Sequence, residues 1–154
     1  MKTKQIGISL LEVLLSLVII ATITTMAIRY FTVTNRSMRV STSIKEIAHL
    51  TNLSYEWLQA QRQNDFSGKP TGTSISMQVL ADTRLIGNLE REKYNPWGGT
   101  ISIEPGANPS YVKITLTHIP QKDCRAIVRQ LKNINHLSDT PCGSAYGNTF
   151  SGEF

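Results

Sequence analysis

Gly7-Ile8-Ser9-Leu10-Leu11-Glu12, continued by Val13-Leu14-Leu15-Ser16-Leu17-Val18-Ile19-Ile20, decides how this chain is built. A short basic leader, Met1-Lys2-Thr3-Lys4-Gln5-Ile6, precedes it. Residues 8–28 carry one charge, Glu12. As a helix rising about 1.5 Å per residue, this run spans about 30 Å, enough to cross a bilayer. A carboxylate inside such a span costs about 2.5–3.5 kcal/mol on insertion scales. A plain anchor has no use for that cost, so Glu12 is read as neutralised by a partner in an assembled state. A secretory signal peptide fits poorly. It needs an apolar region of about 7–15 residues and then a small-x-small cleavage site. This run is longer, holds Glu12, and offers only Thr25-Met26-Ala27.

The same helix is expected to continue well beyond the apolar run. No Gly or Pro occurs in residues 8–67, and helices rarely stop without a breaker or cap. Arg29 ends the apolar run, and Tyr30 and Phe31 follow at the expected interface, where aromatic rings are favoured. Beyond them Val40, Ile44, Ile47, Leu50, Ser54, Trp57 and Leu58 recur at three- and four-residue steps. That spacing makes one stripe suited to packing on a globular head. Thr22-Ile23-Thr24-Thr25 is the weak segment of the helix, because it is β-branched and its hydroxyls compete for backbone bonds.

The leader, Gly7, Glu12 and the long apolar run together resemble the class III signal of type IV pilins and type II secretion pseudopilins. The resemblance implies that a prepilin peptidase cuts after Gly7, that Ile8 becomes the N-methylated terminus, and that Glu12 is the assembly residue. The family usually carries Phe where Ile8 stands and tolerates Ile, Leu and Met there. The fold implied is α+β and pilin-like, a long N-terminal helix packed on a small antiparallel β-sheet head. The implied division is a leader at 1–7, a transmembrane and assembly half of the helix at 8–28, its outer half at 29–63, and a globular head at 64–154.

The precursor has 154 residues and a formal charge of +5, and loss of Lys2 and Lys4 with the leader leaves +3. About 120 residues outside the membrane suffice for one compact domain. No basic run with interleaved aromatics is present, so nucleic-acid binding is not read as the main role. Counting positive charges around the span places Arg29, Arg36, Arg39 and Lys45 against two leader lysines, which points the leader outward. Long soluble domains translocate largely regardless of charge, and the family resemblance implies a cytoplasmic leader; that topology is adopted. Cys124 and Cys142 then lie in an oxidising compartment. A bridge between them closes a loop of about 19 residues, worth about 3 kcal/mol in the chain-entropy model. A metal site is the rival, but it needs further ligands, and His49, His118 and His136 show no paired spacing.

The remaining chain reads as a small head. Residues 64–73 form a loop rich in turn residues. Ser74 is expected to cap a short helix reaching Ile86, with Ile75, Val79, Leu80 and Ile86 inward and Gly87 as its stop. Asn95-Pro96-Trp97-Gly98-Gly99 forces tight turns around one large anchor and introduces a sheet. This stretch also resembles pilins of the type IVb and conjugative-plasmid group. Residues 100–104 and 111–117 alternate with period two, burying Ile101 and Ile103, then Val112, Ile114 and Leu116. After Pro120, Cys124, Ile127, Val128 and Leu131 trace a short amphipathic helix that Asp123 can cap. A last strand is expected around residues 146–150, and Cys142 ties the tail to the helix carrying Cys124.

No catalytic set is legible, and the chain is expected not to be an enzyme. Gly98-Gly99 lacks the Lys-Ser/Thr of a phosphate loop, and a disulfide removes both thiols. Ser138, Asp139 and Thr140 with Glu153 make a poor calcium cage, so neither cofactor nor metal is expected. The reading is a structural subunit of a type IV pilus-like filament, of the type IVb or conjugative kind. Expected partners are copies of itself or related pilins, the inner membrane, the prepilin peptidase and an assembly platform. The head faces the periplasm before assembly and lies in an extracellular or periplasmic filament afterwards. Two alternatives stand beside this reading, a type II secretion pseudopilin and a tip adhesin or DNA-capture pilin that meets a surface receptor or DNA.

Overall fold

The computed structural model describes residues 10–69, 72–87, 94–132, 142 and 149–154. In chain order its elements are α1 (Leu10–Ala60), α2 (Met77–Asp82), β1 (Ile101–Pro105), β2 (Val112–Leu116), α3 (Gln121–Leu131) and β3 (Phe150–Glu153). The chain divides into two compact units, one ending at Ser37 and one running Met38–Phe154.

In the second unit the expected stripe of α1 is the buried one. Val40, Ile47, Leu50, Ser54 and Trp57 are buried, and Ile44 and Leu58 are partly so. Ser43 joins them, a position the apolar pattern does not single out. The helix ends at Ala60, short of the expected boundary at residue 63, through a turn that closes on itself. Arg62 takes φ 51°, its N–H donates to Gln59 O (3.2 Å), and Gln63 N–H donates to Leu58 O (3.1 Å). This is the Schellman arrangement, in which the left-handed position is usually Gly. An arginine there gives no sequence signal for the stop.

The sheet has the order β1-β2-β3, antiparallel throughout. Ile101 pairs with Leu116 and Ile103 with Ile114, while Leu116 and Ile114 face Phe150 and Gly152 on the other side. Period-two alternation therefore puts Ile101, Ile103, Val112, Ile114, Leu116 and Phe150 on one buried face. That face, the α1 stripe, and Cys124, Ile127 and Leu131 of α3 make one core. The third strand begins at Phe150, later than expected; residues 146–148 lie outside the described residues.

Loop 61–76 is tied to the sheet's hairpin. Phe66 N–H donates to Pro109 O (2.8 Å), Ile75 N–H donates to Phe66 O (3.1 Å), and the buried Phe66 ring meets Tyr55 edge to face at 5.2 Å. Two expectations for α2 are corrected here. Its cap is Ser76, not Ser74, with Ser76 Oγ accepting from Val79 N–H (3.2 Å). Ile75 must be buried before the helix starts, which moves the first turn along the chain. Gly87 is not the stop either. The helix ends at Asp82 in a second Schellman turn, with Arg84 at φ 61° and Leu85 N–H donating to Leu80 O (3.0 Å). Ile75, Leu80 and Ile86 are buried as expected, and Val79 is partly buried.

Candidate assembly site

The first unit presents the candidate assembly surface. Along α1 from Leu10 to Phe31 every side chain is exposed, including Leu14, Leu17, Ile20, Ile23, Met26 and Ile28. Glu12 lies in the first turn, where a carboxylate complements the positive end of the helix. Among the described residues no cation pairs with it. The serine and threonine hydroxyls of this segment are internally satisfied. Ser16 Oγ donates to Glu12 O (2.8 Å), Thr22 to Ile19 O (2.8 Å), Thr24 to Ile20 O (2.8 Å) and Thr25 to Ala21 O (2.6 Å). The helix accordingly runs unbroken through residues 22–25, and its hydroxyls need no water. It is long and apolar enough to cross a membrane. Gly7 and Ile8, the expected cleavage and methylation positions, lie outside the described residues.

The second unit holds the remaining singled-out residues. Cys124 and Cys142 are joined by a disulfide, with Cα atoms 5.9 Å apart, so the tail is tied to α3 at its first turn. Beside it, Asp123 departs from the expected capping role. The N-cap of α3 is Pro120, which offers no side-chain bond, and the buried Asp123 carboxylate accepts from Trp97 Nε1 at 3.1 Å. An acid three residues past a proline reads locally as a cap. Its use as an anchor for an indole 26 positions away leaves no local signal.

Asn95 organises the turn that positions Trp97. Its Oδ1 accepts from Trp97 N–H and Gly99 N–H, both at 3.0 Å, and its Nδ2 donates to Thr117 O at 2.6 Å. The main chain closes the same turn, with Gly98 N–H donating to Asn95 O (2.9 Å) and Asn95 N–H donating to Gly99 O (2.8 Å). Tyr94 and Thr100 form a bridge at its base. The stretch Asn95 to Gly99 is thus a structural turn entering the sheet, as its composition predicts. Among the described residues no three or more His, Cys, Asp or Glu side chains converge as metal ligands. The Ser138, Asp139 and Thr140 candidates lie outside the described residues.

A long apolar helix whose later turns pack against a small antiparallel sheet, stapled by a disulfide, defines a pilin-like α+β protein. The family model described as PilS N terminal matches residues 22–149, and the chain belongs to that family, a type IV pilin family. No curated protein and no solved structure matches the chain. Family membership makes it a structural subunit related to type IV pili.

Proposed function

We propose that the chain is a subunit of a type IV pilus-like filament, cleaved after Gly7 by a prepilin peptidase, methylated at Ile8 and assembled through α1. The observation that carries this reading is the exposed apolar surface of residues 10–28 with Glu12 as its only charge. A surface of this kind is stable in lipid or against copies of itself, and Glu12 alone is costly in either setting. The leader motif supports the reading independently, because Gly7 to Glu12 lies outside the span the family model matches.

In this reading residues 1–7 are the leader, 8–28 the membrane and assembly half of the helix, 29–63 its outer half together with the turn that closes it after Ala60, and 64–154 the head. The partners are copies of this chain or related pilins, the inner membrane, the peptidase and an assembly platform. The head is periplasmic before assembly and part of an extracellular or periplasmic filament afterwards. The Asn95 to Gly99 turn and the Cys124–Cys142 bridge favour the type IVb or conjugative kind over a type II secretion pseudopilin.

Glu12 accepts charge-assisted hydrogen bonds from the methylated amine of Ile8 on a neighbouring subunit. Each charge is costly alone in lipid, and pairing offsets part of that cost only when helices dock in the right stagger. The test is to express Glu12→Ala and Glu12→Gln as the sole subunit, confirm cleavage by mass spectrometry, and weigh sheared filaments. Mature wild type should begin at methylated Ile8. Glu12→Ala should insert, be cleaved and fold its head, yet give few filaments, and Glu12→Gln should recover part of the yield. Normal filament yield from cleaved Glu12→Ala, or an intact Met1 in filaments, would sink the reading.

A further inference from the structure

Beside the ends of α1 and α2 lies a cavity of about 250 Å³ that opens to solvent. Gln61 and Thr83 line it, and each stands immediately before the left-handed arginine that closes its helix. Trp57, Thr73, Val79 and Asp82 share the wall. Trp57 is 1% exposed, and among the described residues its indole N–H has no hydrogen-bond partner. A buried indole N–H usually finds an acceptor, and it can only donate. The groups from α2 can only accept. Thr83 Oγ1 commits its proton to the carbonyls of Val79 (2.9 Å) and Leu80 (3.1 Å), which leaves its lone pairs. The Asp82 carboxylate accepts from Gln78 Nε2 at 2.7 Å through Oδ1 and keeps further lone pairs. No Lys, Arg or His stands in the wall.

We propose that this cavity binds one neutral sugar ring, a small-molecule function that goes beyond filament building and does not depend on it. A hydroxyl is the group that accepts from the Trp57 N–H and also donates to Asp82 and Thr83, and a sugar carries several on one ring. The Gln61 amide both donates and accepts, and Val79 meets the apolar C–H face of the ring. Other ligand classes fit worse. A carboxylate or phosphate would lie beside Asp82 with no cation in the wall to offset the repulsion. A primary amine would suit Asp82 but leave the Trp57 N–H without an acceptor, and an apolar ring would leave all of these groups unpaired. At about 250 Å³ the cavity is smaller than the usual range of about 300–1,000 Å³ for drug-sized ligands, so it takes a single ring and not a chain.

The test uses the full chain in a polyoxyethylene-ether detergent, which carries no sugar, and calorimetric titration with the methyl glycosides of glucose, galactose and mannose. At least one should bind saturably with Kd of about 1 mM, the order that a ligand of this size reaches. Glucuronate, cyclohexylamine and cyclohexanol should each bind about tenfold more weakly or not at all. Trp57→Phe keeps an aromatic ring and removes the N–H, and Asp82→Asn replaces an acceptor oxygen with a donor; each should weaken binding about tenfold. Glu56→Gln removes an exposed carboxylate one residue from Trp57 that does not line the cavity, and should leave binding unchanged. Melting curves report the folding of every variant, and the exposed Asp82 keeps the test decisive where Trp57→Phe fails to fold. A disaccharide ending in the bound ring separates the sources. Equal binding extends the site to the terminal unit of a glycan, and tenfold weaker binding confines it to the free sugar; both support the site. The proposal is overturned by any of three results: no saturable binding of a neutral glycoside, equal losses in Glu56→Gln and Asp82→Asn, or cyclohexylamine or cyclohexanol bound as tightly as the glycoside. Loss of filaments in Glu12 variants leaves this test untouched, since it needs no assembly.

Discussion

Trp97 Nε1 donates to Asp123 Oδ2 at 3.1 Å, joining the turn that enters the sheet to the first turn of α3. The carboxylate is buried, and the next residue is Cys124, so this bond and the disulfide hold the same point of the helix. Asp123→Ala leaves a partly buried indole N–H without this acceptor and should cost about 1–3 kcal/mol. Asp123→Asn keeps an acceptor oxygen and should lose less. Thermal unfolding of the two variants, combined with Trp97→Phe in a double-mutant cycle, measures the coupling. No coupling between positions 97 and 123 would show that the bond contributes nothing.

Gly99 lies against the Thr117 backbone, where a side chain would overlap the carbonyl that Asn95 Nδ2 also reaches. A rigid strand end cannot yield, so Gly99→Ala should lose about 3 kcal/mol or more. Gly98 sits one residue away at φ 80° with open space around it. Its alanine variant meets only the left-handed penalty of about 1–2 kcal/mol. Melting curves that rank Gly98→Ala below Gly99→Ala in stability would contradict the close-approach argument.

Ser43 is fully buried on the α1 stripe, and among the described residues its hydroxyl has no hydrogen-bond partner. Ser54, equally buried, donates to Leu50 O at 2.7 Å. Ser43→Ala removes a stranded polar group and places the best helix former there, so a gain of about 0.5–1.5 kcal/mol is expected. Ser54→Ala should be close to neutral. Chemical denaturation checks both, and a Ser43→Ala variant less stable than Ser54→Ala would argue against the assignment.

The Asp65 carboxyl is held below the usual carboxylate range, first by the Ser67 hydroxyl, which donates to its Oδ1 at 2.6 Å. Burial opposes this, while the Ser67 and Lys69 N–H groups and the Lys69 charge assist it; the Ser67 N–H lies at 2.9 Å. A carboxyl depressed on folding stabilises the folded state above the unfolded value, about 3.9, and that contribution is lost as pH falls through the lower folded value. Asp65→Asn and Ser67→Ala should each flatten the stability profile on the acid side of about pH 4 while leaving its alkaline side unchanged. Identical acid profiles for wild type and both variants would remove Asp65 from the account.

Much of this protein is determined by local pattern. Sixty positions without Gly or Pro and an apolar run broken only by Glu12 are enough for a helix that begins as a membrane-compatible surface. Alternation in residues 101–105 and 112–116 is enough for two strands and their buried face, because side chains on a strand change sides at every residue. With two cysteines in the chain, only one intramolecular pairing exists. Glu12 was legible for the same reason: a charge in an apolar run needs no distant context to stand out. Tertiary structure decided the rest. Both Schellman turns use arginine where glycine is the usual signal, so the ends of α1 and α2 follow from packing around Leu58 and Leu80. Phe150 joins the sheet through β2, far back in the chain, and that pairing sets where β3 starts. Asp123 looks like a cap until the fold brings Trp97 to it. In each case the deciding interaction joins groups whose separation in sequence carries no periodic signal, and only the three-dimensional chain brings them within bonding distance.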